Sequence, residues 1–465
     1  MEKLAHYLNV EECPQSLCDA AAAIGATEFA LVRNLDYVYS PHELYPLAPR
    51  VHPPLARVVA YAVDMDGTST TTEPLALHAL EYMVRRFTGL HSRADWPGLD
   101  PRLDYPHVIG NSNFRHTEFL VKRYGPRLDI NSLRGAFLEA VCWTLANMTD
   151  PQRRRDIART ARHCGLGDLL DDGDFQKLVA AGTVDADNVG RQAAPFEQRF
   201  GQAFRCEHQS ELVSAALDVY YMRYHSIMRR IEQGQGEALS RELLGEPGRR
   251  LIEPMPGYDV FVPLVKGWLG PEADALYDTL REPLLADPEL HHTRQELDRC
   301  RPRLARLAER FRRAPARLAL VTASIAYEAH ASMKEVIRVT ARQVQDWPVA
   351  TDCKDRLAQQ LADYRDVFDG FVCASDACEH RLKPHRDLYS LALYRMSIAR
   401  DHYRLCVGLE DTEPGIIALR AAGVGCAVAL PNRDTSGQDY TAATEVIRGG
   451  LPELILVRNL LLDEK

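Results

Sequence analysis

Two stretches of the chain alternate short apolar runs with helical patterns, and the long stretch between them is helical throughout. Residues 58–63 (Val-Val-Ala-Tyr-Ala-Val) form a nearly continuous apolar run ending in a glycine-containing turn. That pattern predicts a strand buried on both faces of a parallel sheet. Glu73-Pro74 then opens a helix, since proline costs nothing in a first turn. Leu75, Ala79, Tyr82, Met83 and Phe87 follow at helical spacing. Near Arg317 the alternation resumes. Residues 318–321 predict a strand, and Thr322-Ala323-Ser324 turns into a helix reaching about residue 340. Further strands are predicted at 370–373, 405–409 and 423–430, with a helix over 414–422. Strands alternating with helices imply a parallel sheet covered on both faces.

Between the two stretches, residues 132–148 carry Leu133, Phe137, Val141 and Leu145 every four positions. Residues 211–231 carry Leu212, Ala216, Val219, Tyr220, Tyr224, Ile227 and Ile231. These are amphipathic helices, and their aromatic stripe predicts core. The expected organisation is an N-terminal extension (1–55) packing on the core, a first core segment (56–72), a helical insertion (73–314) and a second core segment (315–465).

Composition narrows the function. The 465 residues are 46% hydrophobic and 26% charged, which is enough apolar material for more than one folded unit. A net charge of −9 argues against a nucleic-acid or anionic-membrane binder. No apolar run approaches the ~18 residues of a membrane span. Eleven scattered cysteines, an odd number without framework spacing, predict reduced thiols and a cytoplasmic setting. With 8 lysines against 48 arginines, each lysine is worth weighing.

The candidate chemistry begins at Asp64-Met65-Asp66-Gly67-Thr68. Two carboxylates directly after six buried apolar residues stand at the carboxyl edge of a sheet, where ligands bind. Acids that close repel unless a cation or proton lies between them, which points to a metal such as Mg²⁺. A second pair, Glu410-Asp411, ends another predicted strand and can complete an oxygen-rich site with Asp64 and Asp66. Thr322, with Ala323 and Ser324 at the start of a helix, offers donors to phosphate oxygens. Lys383, after a further strand, offers a point charge for a phosphoryl group and for Asp64.

In order, these segments resemble the four motifs of the haloacid dehalogenase-like superfamily. Asp64-Met65-Asp66-Gly67-Thr68 resembles the first and Leu320-Val321-Thr322 the second. Lys383-Pro384-His385-Arg386-Asp387-Leu388-Tyr389 resembles the third, and Gly408-Leu409-Glu410-Asp411-Thr412 with Pro414-Gly415-Ile416 the fourth. Thr71-Thr72-Glu73-Pro74-Leu75 resembles the hinge of the β-phosphoglucomutase and phosphatase-like branch. The resemblance implies an α/β, Rossmann-like core with a mostly helical cap inserted after the first motif. It implies Asp64 as nucleophile and Asp66 as acid and base, with Thr68 holding Asp66. Thr322 and Lys383 would stabilise charge, and Gly67, Thr68, Ala323 and Ser324 would bind phosphate. Mg²⁺ would lie on Asp64, Asp66, Glu410 and Asp411. The expected activity is hydrolysis of a small phosphorylated metabolite. The rivals are a phosphomutase, which shares every core residue, and an interaction protein using the insertion as a docking surface. The insertion is also the surface through which copies could associate. The 258 residues from Asp64 to Thr322 make an unusually large cap for the family, so the substrate does not transfer by analogy.

Three other signals are declined. The arginine runs at 153–155 and 301–317 predict solvated helix faces, the second because Leu304, Leu307 and Phe311 recur at helical spacing. Cys373, Cys378 and His380 lack the spacing of a zinc site.

Overall fold

The computed structural model describes residues 5–9, 15, 19, 23–34, 38–92, 94–108, 113–245, 250–377 and 381–458. Cys378 and His380 lie outside them. The chain divides into two compact units, Met1–Thr72 with Ile252–Lys465, and Glu73–Leu251.

In the first unit, β1 (Ala5–Asn9), β2 (Glu28–Arg33) and β3 (His42–Pro46) form an antiparallel sheet in the extension. The main sheet contains β4 (Ala60–Asp64), then, after the short pair β5 (Thr70–Thr71) and β6 (Glu253–Pro254), β7 (Arg317–Val321), β8 (Gly370–Val372), β9 (Cys406–Glu410), β10 (Cys426–Ala429) and β11 (Glu445–Val446). Its order is β11-β10-β9-β4-β7-β8, and every pairing is parallel. The α/β, Rossmann-like reading is therefore the observed fold, with β4 central.

Every residue of β4 is buried, and alternation assigns them to opposite faces. Ala60 and Ala62 join Ala319, Val321 and Ala427 against the helices Asp387–Arg395 and Glu413–Ala421. Ala30, Val32 and Tyr45 of the extension complete that cluster. On the other face Tyr61 meets the rings of Phe261 and Phe311 at 5.2 and 6.3 Å. These two rings belong to the helices Tyr258–Val265 and Arg294–Arg313, so residues 252–314 pack with the sheet. The expected insertion limit of 314 thus differs from the observed unit, which ends at Leu251. The physical reason is that periodicity reveals a buried face but not what buries it. The helix over 294–313 does expose most of its arginines, with Arg303 and Arg310 half-buried, while burying Leu304, Leu307 and Phe311.

The second unit is helical. Glu73–Thr88, Ile130–Asn147 and Gln209–Arg230 pack on one another through the predicted apolar stripes. One expectation fails there. Arg153 is no solvated residue; it is buried, bonds to the buried Asp218 and lies 4.2 Å from the Tyr221 ring centroid. The cation–aromatic contact and the ion pair together let the guanidinium leave water.

Candidate active site

The site forms where three central strands end. In the ladder Asp64 stands opposite Val321 and Val63 opposite Leu409, so the residues that follow β7 and end β9 flank Asp64. Oxygens of Asp64, Glu410 and Asp411 lie within 4.8 Å of one another, and all three residues are buried. The turn after Asp64 is fixed by its own backbone: the Gly67 N–H donates to Thr70 O at 2.9 Å, and the Ser69 hydroxyl donates to Asp64 O at 2.6 Å. Gly67 has φ +82°, and a β-carbon there would lie 2.2 Å from Asp411 Oδ2. Glycine is thus what lets Asp411 approach the turn. Asp411 is held by the Thr68 hydroxyl at 3.2 Å and the Asn432 amide at 3.0 Å.

Lys383 bridges the acids. Its ammonium donates to Asp64 Oδ1 and lies 2.5 Å from Glu410 Oε1. Burial by itself would lower the lysine pKa, but Asp64 and Glu410 raise it, so the ammonium stays charged. Burial pushes the Asp64 carboxyl well above the usual carboxylate range; Lys383 opposes this, while Glu410 and Asp66 add to it. Three buried carboxylates thus share one ammonium, and their mutual repulsion favours a further cation or proton among them. Glu410 also accepts from the Tyr389 hydroxyl at 2.7 Å, the Thr412 hydroxyl at 2.9 Å and the Thr412 N–H at 3.2 Å. With Lys383 these make four donors for the roughly four lone-pair positions of a carboxylate. Glu410 was expected to support the metal directly or through water; it belongs to the acidic group, and its oxygens here accept from protein donors. Thr412 caps the helix Glu413–Ala421, and a β-carbon at Gly415 would fall 1.8 Å from Glu410 Oε1, so the helix start seats tightly on this carboxylate.

Asp66 faces the other flank. Its carboxylate accepts from Thr322 Oγ1 at 2.9 Å, Ser324 Oγ at 3.2 Å and Thr72 Oγ1 at 2.5 Å. Thr72, not Thr68, supports Asp66; Thr68 belongs to Asp411. The expectation that Thr68 holds Asp66 is corrected on that geometry. The Ser324 N–H is committed to Thr322 Oγ1 at 2.9 Å, and Ala323 is exposed at the start of the turn. All predicted residues thus collect at one sheet edge: Asp64, Lys383, Glu410 and Asp411 in one group, Asp66, Thr322 and Ser324 beside it, with Gly67 and Thr68 in the turn between. Sequence reasoning missed the supporting donors Thr72, Thr412 and Asn432. Asn432 carried one usable signal, since it follows β10 at the same carboxyl edge.

Three of the segments that resemble the haloacid dehalogenase-like superfamily therefore end the adjacent strands β4, β7 and β9 of one Rossmann-like sheet, and the fourth, Lys383–Tyr389, reaches the same edge from the start of the helix Asp387–Arg395. Neither a family model nor a curated sequence matches the chain. Solved structures do align with it. CbbY from Rhodobacter sphaeroides, in complex with phosphate, is 14% identical over 87% of this chain and 99% of its own, with a TM-score of 0.39. A hydrolase from Pseudomonas syringae is 10% identical over 87% and 100%, with a TM-score of 0.35. A β-phosphoglucomutase from Clostridium difficile is 12% identical over 85% and 93%, with a TM-score of 0.28.

Proposed function

We propose that the chain is a phosphoric monoester hydrolase: a Mg²⁺-dependent phosphatase of small phosphorylated metabolites that acts through an aspartyl-phosphate. The observation that carries this reading is the grouping of Asp64, Glu410 and Asp411 at the ends of β4 and β9, with Lys383 bonded to two of them. Buried carboxylates in excess of one ammonium favour a divalent cation, and a donor set of oxygens alone suits a hard one. Asp64, Asp411 and the backbone carbonyl of Asp66 would hold Mg²⁺, and Glu410 would add its charge from behind Lys383. Bound there, the ion would supply neutralisation between an anionic phosphate ester and an anionic nucleophile.

The protein's own groups account for the rest. An Asp64 oxygen attacks phosphorus, and the bond from phosphorus to the leaving oxygen breaks in line. Asp66 gives its proton to that oxygen. It then takes a proton from the water that opens the aspartyl-phosphate, releasing phosphate and restoring Asp64. Lys383, fixed by Glu410, and the Thr322 hydroxyl stabilise charge on the transferring group. The Thr322 and Ser324 hydroxyls now donate to Asp66. A phosphoryl group entering there would compete for those donors and leave Asp66 on Thr72, freeing one of its oxygens for the leaving group. Residue 66 also argues for phosphate esters over carbon–halogen bonds, because halide departure needs no acid at that position.

The test is turnover of p-nitrophenyl phosphate and a panel of sugar phosphates by the full chain with Mg²⁺. Phosphate release that disappears in Asp64→Asn supports the reading. Rephosphorylation of product without net phosphate release would indicate a phosphomutase. No Asp64-dependent activity on the panel would count for an interaction protein.

A further inference from the structure

At the opposite end of the main sheet lies a cavity of about 350 Å³ lined by Arg57, Val59, Arg317, Ser397 and His402, among others. It sits where β4, β7 and β9 begin: Arg317 opens β7, its N–H donates to Val59 O at 3.0 Å, and the Val59 N–H donates to Leu405 O at 3.0 Å. Five residues of β4 at a rise of ~3.3 Å put it roughly 16 Å from the Asp64 edge. Its size falls within the range of small-ligand pockets.

Charge is the informative feature. Two guanidiniums and an imidazole share the wall, and among the described residues no carboxylate lines it. Among the described ion pairs, neither Arg57 nor Arg317 has an acidic partner, in a chain whose net charge is −9. One Arg317 nitrogen donates to the Met396 carbonyl, which ties that guanidinium to the wall. The next residue, Ser397, has φ +52°, a left-handed conformation that costs a non-glycine residue energy and occurs where surrounding structure enforces it. Like charges held together on a concave surface repel each other and attract a counter-anion, and arginine presents paired donors that match phosphate and carboxylate oxygens.

The geometry points to a second anion site here, remote from the acidic edge, which takes a small dianion bearing phosphate or carboxylate groups. Its assigned role is to bind the anion, and no reaction is assigned to it.

The experiment is arginine modification of the full chain by phenylglyoxal, read peptide by peptide by mass spectrometry. Inorganic phosphate, a sugar phosphate and citrate are compared with sodium chloride at equal ionic strength. Two or three charge-assisted hydrogen bonds predict that a bound dianion slows modification of Arg57 and Arg317 by about tenfold or more. The exposed Arg205 should be unaffected. Which of the three anions protects best identifies whether phosphate ester, free phosphate or carboxylate is the preferred chemistry. Arg57→Gln, an exposed position outside the strands, should remove the protection of Arg317 while leaving the fold intact. Asp64→Asn should leave the protection unchanged, which separates this pocket from the proposed catalysis. Equal protection by chloride, no protection relative to Arg205, or undiminished protection of Arg317 in Arg57→Gln would overturn the proposal.

Discussion

Replacing Glu28 by Gln tests one of the contacts that tie the N-terminal extension to the core. Glu28 begins β2 and accepts from Tyr7, from Arg50 at 2.7 Å and from Arg420. The Arg420 side chain is fully buried, and its remaining donors reach only the carbonyls of Ala48 and Ala442, both at 3.1 Å. Removing one partner of a buried pair costs about 3–5 kcal/mol because the other charge is stranded. Gln keeps the shape and some hydrogen bonding, and the Glu28 side chain retains 15% exposure, so about 2–3 kcal/mol is expected here. Titration gives a similar figure. Burial opposes ionisation, but Arg50, Arg420 and Tyr7 hold the carboxyl at about 2 instead of 4.5. That difference is worth at most ~3 kcal/mol at neutral pH, and solvent screening reduces it to about 2. Because the folded-state pKa is lowered, the contribution is complete above about pH 4.5 and fades as pH falls toward about 2. Hydrogen exchange of peptides from β2 and from the helix Glu413–Ala421, in the whole chain, reads this out. A loss of 2–3 kcal/mol speeds exchange by about 30- to 150-fold at pH 7. The difference between wild type and variant should shrink at acid pH. Less than a twofold change, or a difference that grows as pH falls, would refute the reasoning.

Other perturbations test the site and the helical unit. Gly67→Ala should abolish phosphate-ester turnover, because the new carbon meets Asp411 Oδ2 at 2.2 Å on a backbone with φ +82°; kinetics and circular dichroism together separate lost activity from lost fold. Asp411→Asn should raise the Mg²⁺ concentration needed for half-maximal rate by at least ~10-fold, while Glu410→Gln should mainly lower kcat, by ~100-fold, through a loosened Lys383; metal titrations of the rate in both variants distinguish the roles. Arg153→Met should destabilise the Glu73–Leu251 unit by about 3 kcal/mol by leaving Asp218 buried without its cation, and Arg153→Met with Asp218→Leu should recover most of it, as measured by thermal unfolding.

The core was legible because its strands are buried on both faces and read as unbroken apolar runs, as in β4 and β9. Their ends shifted by a residue or two: Val58 and Val59 are apolar but precede the ladder of β4. The extension was not legible as a sheet, since Ala5–Asn9 and His42–Pro46 mix buried and exposed positions without clean alternation. The limit of the helical unit was hidden for a different reason: the helix Arg294–Arg313 shows the same stripe whether it covers a sheet or other helices. At the site, Asp64 and Asp411 stood out because acids directly after buried strands are costly and need a cause. Thr72 and Asn432 did not, because hydroxyls and amides are ordinary turn residues whose partners are set only by the folded geometry. Arg153 misled for a related reason, since two neighbouring arginines made a buried cation look like one of a solvated run.

The central claim is that Asp64 itself carries the phosphoryl group. The direct measurement is rapid acid quench of the full chain turning over a ³²P-labelled ester with Mg²⁺, followed by peptide mapping of the label. The account predicts acid-stable label on the peptide containing Asp64, absent in Asp64→Asn and without Mg²⁺. Steady phosphate release from wild type and Asp64→Asn alike, with no label on that peptide, would contradict it.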